Sequence, residues 1–181
     1  MDDSLDSAVF VALGCNDKGD HADCEAALEA ALAAMSAQTA AVGLRLTARS
    51  SWWRSAAWPD PSDPPFVNGV VRLDGAPGAD GPGPSDLMAL LAGVEAAFGR
   101  RRARPNAPRT LDLDLIAHGR LAGVFDGVIV PHPRAAHRLF VMGPLAEIAP
   151  DWTHPLLGET AATLAQAATV GLDARPVAGE G

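Results

Sequence analysis

Asp112 and Asp114 stand two positions apart inside an apolar run, Leu111 to Ala117. That run reads as a strand, and on a strand residues i and i+2 share a face. The two carboxylates therefore point the same way out of an otherwise hydrophobic segment. Like charges that close repel, and burying them is costly unless a cation lies between them. A hard divalent cation such as Mg2+ prefers carboxylate oxygen. Just upstream, Gly99 to Arg109 holds five of the chain's fourteen basic residues: Arg100, Arg101, Arg102, Arg104 and Arg109. Paired acids beside an arginine cluster suit a magnesium-bound polyphosphate, with Arg on phosphate oxygens and Asp on the metal. An Asp-x-Asp pair alone also suits a solvated strand face or a turn. The arginines and the apolar framing are what favour the metal.

The elements that must position these groups can be read along the chain. Residues 1 to 7 are acidic and polar and read as a disordered tail. Val9 to Leu13 is a buried strand ending at Gly14. Asp20 is placed to cap a helix over His21 to Met35. Leu44 to Trp53 alternates as a half-exposed strand, and Phe66 to Leu73 forms a third. Between them Arg54 to Pro65 holds four prolines and reads as a functional loop. Asp74 to Gly83 is a Gly/Pro/Asp-rich surface loop. Pro84 to Phe98 is a helix with Ser85 as its cap, a stripe of Leu87, Leu90, Leu91 and Val94, and Gly99 as its stop. The strand of the Asp pair follows. The order βαββαβ predicts an α+β fold, a ferredoxin-like sandwich, as a single domain over 8–181. Its C-terminal extension is irregular after Gly119 and ends in an Ala-rich helix near Thr160 to Thr169.

A chain of 181 residues, 48% hydrophobic and 20% charged, suits one globular domain. The net charge of −8 argues against a general binder of nucleic acid or anionic membrane. Cys15 and Cys24 form no Cys-x-x-Cys pair and are expected as reduced thiols. The start lacks the pattern of a signal peptide, and no apolar run approaches the roughly 20 residues that span a bilayer. The expectation is a soluble, cytoplasmic monomer.

Five blocks, taken together and in order, resemble the 6-hydroxymethyl-7,8-dihydropterin pyrophosphokinases of folate biosynthesis. They are Ala12-Leu13-Gly14-Cys15-Asn16, Ser50-Ser51-Trp52-Trp53-Arg54-Ser55, Phe66-Val67-Asn68-Gly69, and the hallmark Pro108-Arg109-Thr110-Leu111-Asp112-Leu113-Asp114. The last is Val130-Pro131-His132 with Arg138, Phe140 and Pro144 to Pro150. The resemblance covers about residues 8 to 155. It implies transfer of a diphosphate from ATP to the pterin's hydroxymethyl group, with two Mg2+ held by Asp112 and Asp114. Arg100 and Arg109 would clamp phosphate oxygens, helped by Arg102, and His132 and Arg138 would contact the triphosphate. Glu95 matches a nucleotide-site acid. Asn68 matches the amide that reads the pterin edge, and Phe66 and Phe140 the aromatics that sandwich the ring. Ser55, Ala56 and Trp58 match the loop that gives backbone contacts to the pterin. These roles fit the physics: a flat polar heterocycle needs stacking faces and a fixed donor and acceptor. Diphosphoryl transfer concentrates negative charge, which cations stabilise. The loops 54–65 and 99–109 are expected to close over the substrates.

The chain departs from the family pattern in three places. Pro105-Asn106-Ala107 stands where members often carry Arg-Trp-Gly, so a lid Trp is absent. Ala92 replaces a common Gln or His, and Gly127 a basic residue. Arg101, Arg104 and Arg134 are the candidates to compensate in nucleotide binding. Two other readings stay open on the residues alone: another Asp-x-Asp, magnesium-dependent transferase such as a sugar transferase, and a ferredoxin-like module that senses a nucleotide without turnover. His118 and His137 read as structural or exposed. Of the adjacent Trp52 and Trp53, one should face the core and the other solvent or the site.

Overall fold

The computed structural model describes residues 3–57, 60, 62–75, 81–99 and 110–177. Strand β1 (Val9–Cys15) is rich in the β-branched and aromatic residues that suit a pleated, buried element. Helix α1 (Cys24–Ala41) follows. Its cap is Asp23 rather than the expected Asp20: the Asp23 carboxylate accepts the Ala26 N–H at 2.8 Å. Asp20 belongs to the preceding turn, where the His21 N–H bonds to the Lys18 carbonyl at 3.0 Å. The helix also runs past Met35, because the Ala-rich stretch that follows it continues to favour helix.

The strand expected over Leu44 to Trp53 is broken into β2 (Leu44–Arg49) and β3 (Trp53–Ser55). Ser50 makes the break, its hydroxyl accepting the Val70 N–H at 3.0 Å. Strand β4 (Phe66–Gly75) and helix α2 (Pro84–Ala97) come next. Gly83, not Ser85, is the N-cap of α2. Pro84 takes the first turn, where its missing N–H does no harm, and Ser85 donates its hydroxyl to Asp126 at 3.2 Å. Strand β5 (Asp112–His118) carries the acid pair. Beyond it lie the hairpin β6 (Gly123–Phe125) and β7 (Val128–Val130), helix α3 (Leu139–Ile148), helix α4 (Ala161–Ala167) and the short strand β8 (Arg175–Pro176). Of these, sequence reasoning anticipated α4 only.

Among the described residues the main sheet has six strands in the order β5-β1-β4-β3-β8, with β2 also on β4, and every pairing is antiparallel. Alternation divides it into two faces. Val9, Val11, Leu13 and Cys15 of β1 pack with Val67, Val71, Leu113 and Leu115 under Leu28, Met35, Leu87 and Leu91 of α1 and α2. Phe10, Val70 and Ile116 pack on the opposite face against Met142, Leu145, Trp152 and Leu164 of the α3–α4 layer. The start of the chain is engaged as well: Ser4 accepts from Arg72 at 2.8 Å and Asp6 from Arg120 at 2.7 Å, around a 3-10 turn at Asp3–Asp6. Among the described residues no helix is long and apolar enough to cross a membrane.

Candidate active site

Strand register builds the site. Residues opposed on neighbouring strands share a face. Gly14 of β1 lies opposite Asn68 on β4 and Asp112 on β5, and Ala12 lies opposite Val70 and Asp114. Asn68, Asp112 and Asp114 therefore project from the α3–α4 face, along with Phe66, two residues before Asn68. Between the Asn strand and the acid strand stand only a glycine and an alanine, and the space above them is an open cavity of about 380 Å³. Gly14 keeps this space clear: a Cβ there would crowd the Asn68 Oδ1 at 3.0 Å.

The cavity wall holds Asp112, Asp114, Arg138, Ser55, Ala56, Phe66, Asn68 and Phe140, all of them named from sequence. Asp112 and Asp114 are half-buried, alternating with buried Leu113 and Leu115. Asn68 is only 9% exposed, and its side-chain Nδ2 has no hydrogen-bond partner among the described residues. The Phe140 ring lies under the Arg138 guanidinium, 5.6 Å from ring centroid to Cζ. Burial, then the nearby Arg134, lowers the pKa of Arg138, and the charges of Asp114 and Asp112 oppose that shift. The arginine and the acid pair are thus electrostatic neighbours across the cavity.

Two expected residues are not among those that line the cavity. Glu95 is 5% exposed on α2, and its carboxylate accepts the Leu113 N–H at 2.7 Å, between the two acids on β5. His132 anchors its main chain to the Ile116 carbonyl at 2.8 Å, and its Nδ1 accepts the Arg134 N–H at 3.2 Å. A neutral ring must then carry its proton on Nε2. Burial lowers the pKa of His132, against the pull of Asp114. Arg100, Arg102, Arg109 and Trp58 lie outside the described residues, as does most of the arginine-rich loop.

Asp63 and Val141 also line the cavity and were not anticipated. Asp63 had no signal beyond its place in a Pro-rich loop. Arg134, weighed only as a compensator for the departures, stands in the wall itself. The other side chains behave as structural parts. Trp52 is buried in the α1–α2 core, and Trp53 is half-buried with its indole N–H on Glu147 at 2.8 Å. His118 bonds to the Pro82 carbonyl at 2.9 Å, and His137 is exposed. Cys15 faces away from the cavity into the α1–α2 core, and burial pushes its thiol pKa up; both cysteines are free.

The arrangement offers chemistry of one kind. A pair of carboxylates supplies hard oxygen donors, a guanidinium supplies positive charge beside them, and an amide and two aromatic rings line the same cavity. A model of the family described as 7,8-dihydro-6-hydroxymethylpterin-pyrophosphokinase (HPPK) matches residues 10–150. A 2-amino-4-hydroxy-6-hydroxymethyldihydropteridine pyrophosphokinase of Synechocystis sp. is 42% identical over 118 residues, covering 65% of this chain and 57% of the relative. The protein of that name from Methylorubrum extorquens is 36% identical over 109 residues, 60% of this chain and 66% of the relative. The one from Pseudomonas aeruginosa is 35% identical over 147 residues, 81% of this chain and 83% of the relative. The chain thus spans 57% and 66% of the length of the first two relatives. Among solved structures, an HPPK-DHPS in complex with substrates superposes with a TM-score of 0.61 at 12% identity, over 88% of this chain and 43% of that one. A Plasmodium falciparum HPPK-DHPS gives 0.62 at 11% identity, over 88% and 45%. At such identity these two speak for the fold alone.

Proposed function

We infer from membership in the 7,8-dihydro-6-hydroxymethylpterin-pyrophosphokinase family, to which this chain belongs, that it moves a diphosphate from ATP to 6-hydroxymethyl-7,8-dihydropterin. The hydroxymethyl oxygen attacks the β-phosphorus and gives up its proton to solvent, the bond from that phosphorus to the α,β-bridging oxygen breaks, and AMP leaves with the pterin diphosphate as the other product. One observation carries the reading. Among the described residues the buried Asn68 Nδ2 has no partner, in the same cavity that holds Asp112 and Asp114. A buried donor left unsatisfied costs about 1–3 kcal/mol, so the site is poised for a ligand acceptor there. The pterin edge offers acceptors and donors that match an amide, and Phe66 and Phe140 take its two faces.

The donor set fits Mg2+. Asp112 and Asp114 give oxygen only, and among the described residues no cluster of three or more His, Cys, Asp or Glu groups exists. Magnesium characteristically takes one or two carboxylates and leaves its other positions to phosphate oxygen and water. When bound, two such ions would offset the charge of the polyphosphate. The chain's own residues do the rest. Arg138, with Arg100, Arg102 and Arg109, orients phosphate oxygens, and His132 would contact the triphosphate as the Nε2–H tautomer. Glu95 fixes β5 between the two acids through Leu113, and so supports the nucleotide site from behind. Ser55, Ala56 and Trp58 border the heterocycle. The architecture is read as a ferredoxin-like βαββαβ sandwich, with β2 and β3 as one bent strand and 119–177 as its C-terminal extension.

The test is AMP release. Purified protein with ATP, Mg2+ and the pterin should form AMP and pterin diphosphate in equal amounts, and chelation of the metal should stop it. AMP formation that ignores the pterin, or none at all, overturns the assignment.

A further inference from the structure

Residues 168–177 lie beyond the stretch that the family model matches, yet they touch two residues of the cavity wall, Phe140 and Ala56. On the α3 side, the Val170 carbonyl accepts the Leu139 N–H at 2.9 Å, and the Thr169 and Val170 N–H groups both donate to the His137 carbonyl at 3.0 Å. The main chain is thereby held on either side of Arg138. Gly171 backs the Phe140 ring: a Cβ added there would overlap Phe140 Cδ1, and its φ of +69° already disfavours any other residue. Along β3, β8 pairs Arg175 with Arg54 and Pro176 with Trp53, and the Val177 N–H reaches the Trp52 carbonyl at 2.7 Å. Continuing that antiparallel register brings residue 173 opposite residue 56. There the Asp173 carboxylate accepts the Ala56 N–H at 2.6 Å.

The two contacts belong to one turn. The Ala174 N–H bonds to the Gly171 carbonyl at 3.0 Å, the i to i+3 bond of a β-turn. The first residue of the turn supports Phe140 and the third holds Ala56. Such a turn spans less than about 7 Å between its end Cα atoms, so Phe140 and Ala56 of the cavity wall are tied through a short, closed ring of backbone. We propose that this C-terminal strap sets the width of the heterocycle slot, with Asp173 and Gly171 as its positioning residues. Neither is a catalytic residue. Asp173 fixes the Ala56 main chain and occupies a donor that would otherwise compete for the ligand, while Gly171 fixes the plane of Phe140.

This inference rests on the reading of the cavity as the pterin site. Asp173→Ala should raise the KM for the pterin about tenfold, the usual weight of one charge-assisted bond, with kcat and the KM for ATP changed less than about twofold. Asp173→Asn should restore the pterin KM, because an amide oxygen can accept the same N–H. Gly171→Ala should raise it further, because the ring must shift. A pterin KM unchanged in Asp173→Ala overturns the proposal. So does a loss that is equal for ATP and pterin and follows thermal stability, or one that Asn does not rescue. Calorimetric titration of the wild-type protein with the pterin separates this failure from a wider one. No binding sinks the functional reading and this inference with it; binding that Asp173→Ala leaves untouched sinks this inference alone.

Discussion

Asp112 and Asp114 keep one face because β5 is regular where they sit; its irregularity against β1 falls between Phe10 and Val11, beyond the pair. Asp114 is half-buried at the cavity, so its loss should spare the fold. Asp114→Ala is expected to lower AMP formation by at least about 10³-fold, the scale of losing a charge stabiliser, with a thermal midpoint within a few degrees of wild type. Turnover at wild-type speed would contradict the metal assignment. Asn68→Leu keeps the volume but deletes the amide. The KM for the pterin should rise by about two orders of magnitude, since a site built to bond a polar edge depends strongly on that bond. ATP affinity, read by titration with a nonhydrolysable analogue, should stay as it was. Alternation made the shared face of the acids legible in the sequence. The floor of Ala12 and Gly14 was not, because it depends on which strands are neighbours, and register is a property of the folded sheet.

At the level of elements, α3 is the part that sequence reasoning missed, and it carries Phe140 and follows directly on Arg138. Gly143 and Pro144 lie inside it and argue against a helix on propensity alone. Tertiary contacts overrule them: Val141, Met142 and Leu145 are buried against the sheet. Glu147 fastens the helix to the β2–β3 corner by accepting the Ser51 N–H at 2.9 Å, the Ser51 hydroxyl at 2.8 Å and the Trp53 indole N–H at 2.8 Å. Glu147→Ala should destabilise by about 1–2 kcal/mol in urea unfolding, given that the bonds are near the surface. It should also weaken pterin binding through displacement of Phe140. Glu147→Gln, which keeps an acceptor, should fall between the two. The turn after α3 is held differently, with His154 Nδ1 accepting the Leu156 and Leu157 N–H groups at 3.3 and 3.2 Å. Burial lowers the pKa of this imidazole. The neutral ring is the folded form, and the unfolded chain binds the proton more readily. Stability is therefore complete above the unfolded value near 6.5 and declines as pH falls below it. Thermal midpoints should drop between pH 7 and pH 5.5, and His154→Gln should reduce that slope, leaving the share of His132, whose pKa burial also lowers. A slope unaltered in the variant would place the titrating group elsewhere.

The whole molecule divides its work between the two faces of a single sheet. The core under α1 and α2 holds β1, β4 and β5 in register, while the acid pair and Asn68 stand on the other side of the sheet. The core under α3 and α4 continues directly into that cavity, since Phe140 packs against it and Val141 belongs to both. This division was half legible in the chain. The βαββαβ order implied two helices on one face, but a sequence whose C-terminal third reads as irregular gave no sign that a second helical layer would cover the other. Two truncations of fully buried residues can separate the roles. Leu91→Ala and Met142→Ala each remove a side chain that is 0% exposed, and each should destabilise by about 2–5 kcal/mol. Measured at a temperature where both variants remain folded, Leu91→Ala should keep kcat/KM for the pterin within about twofold of wild type, because the lost contacts lie across the sheet from the ligand. Met142→Ala should lower it by about tenfold or more, because α3 can settle into the void and carry Arg138 and Phe140 with it. Equal losses of kcat/KM in the two variants would mean that the sheet transmits packing changes through its thickness, and that the scaffold and site cannot be assigned to separate faces.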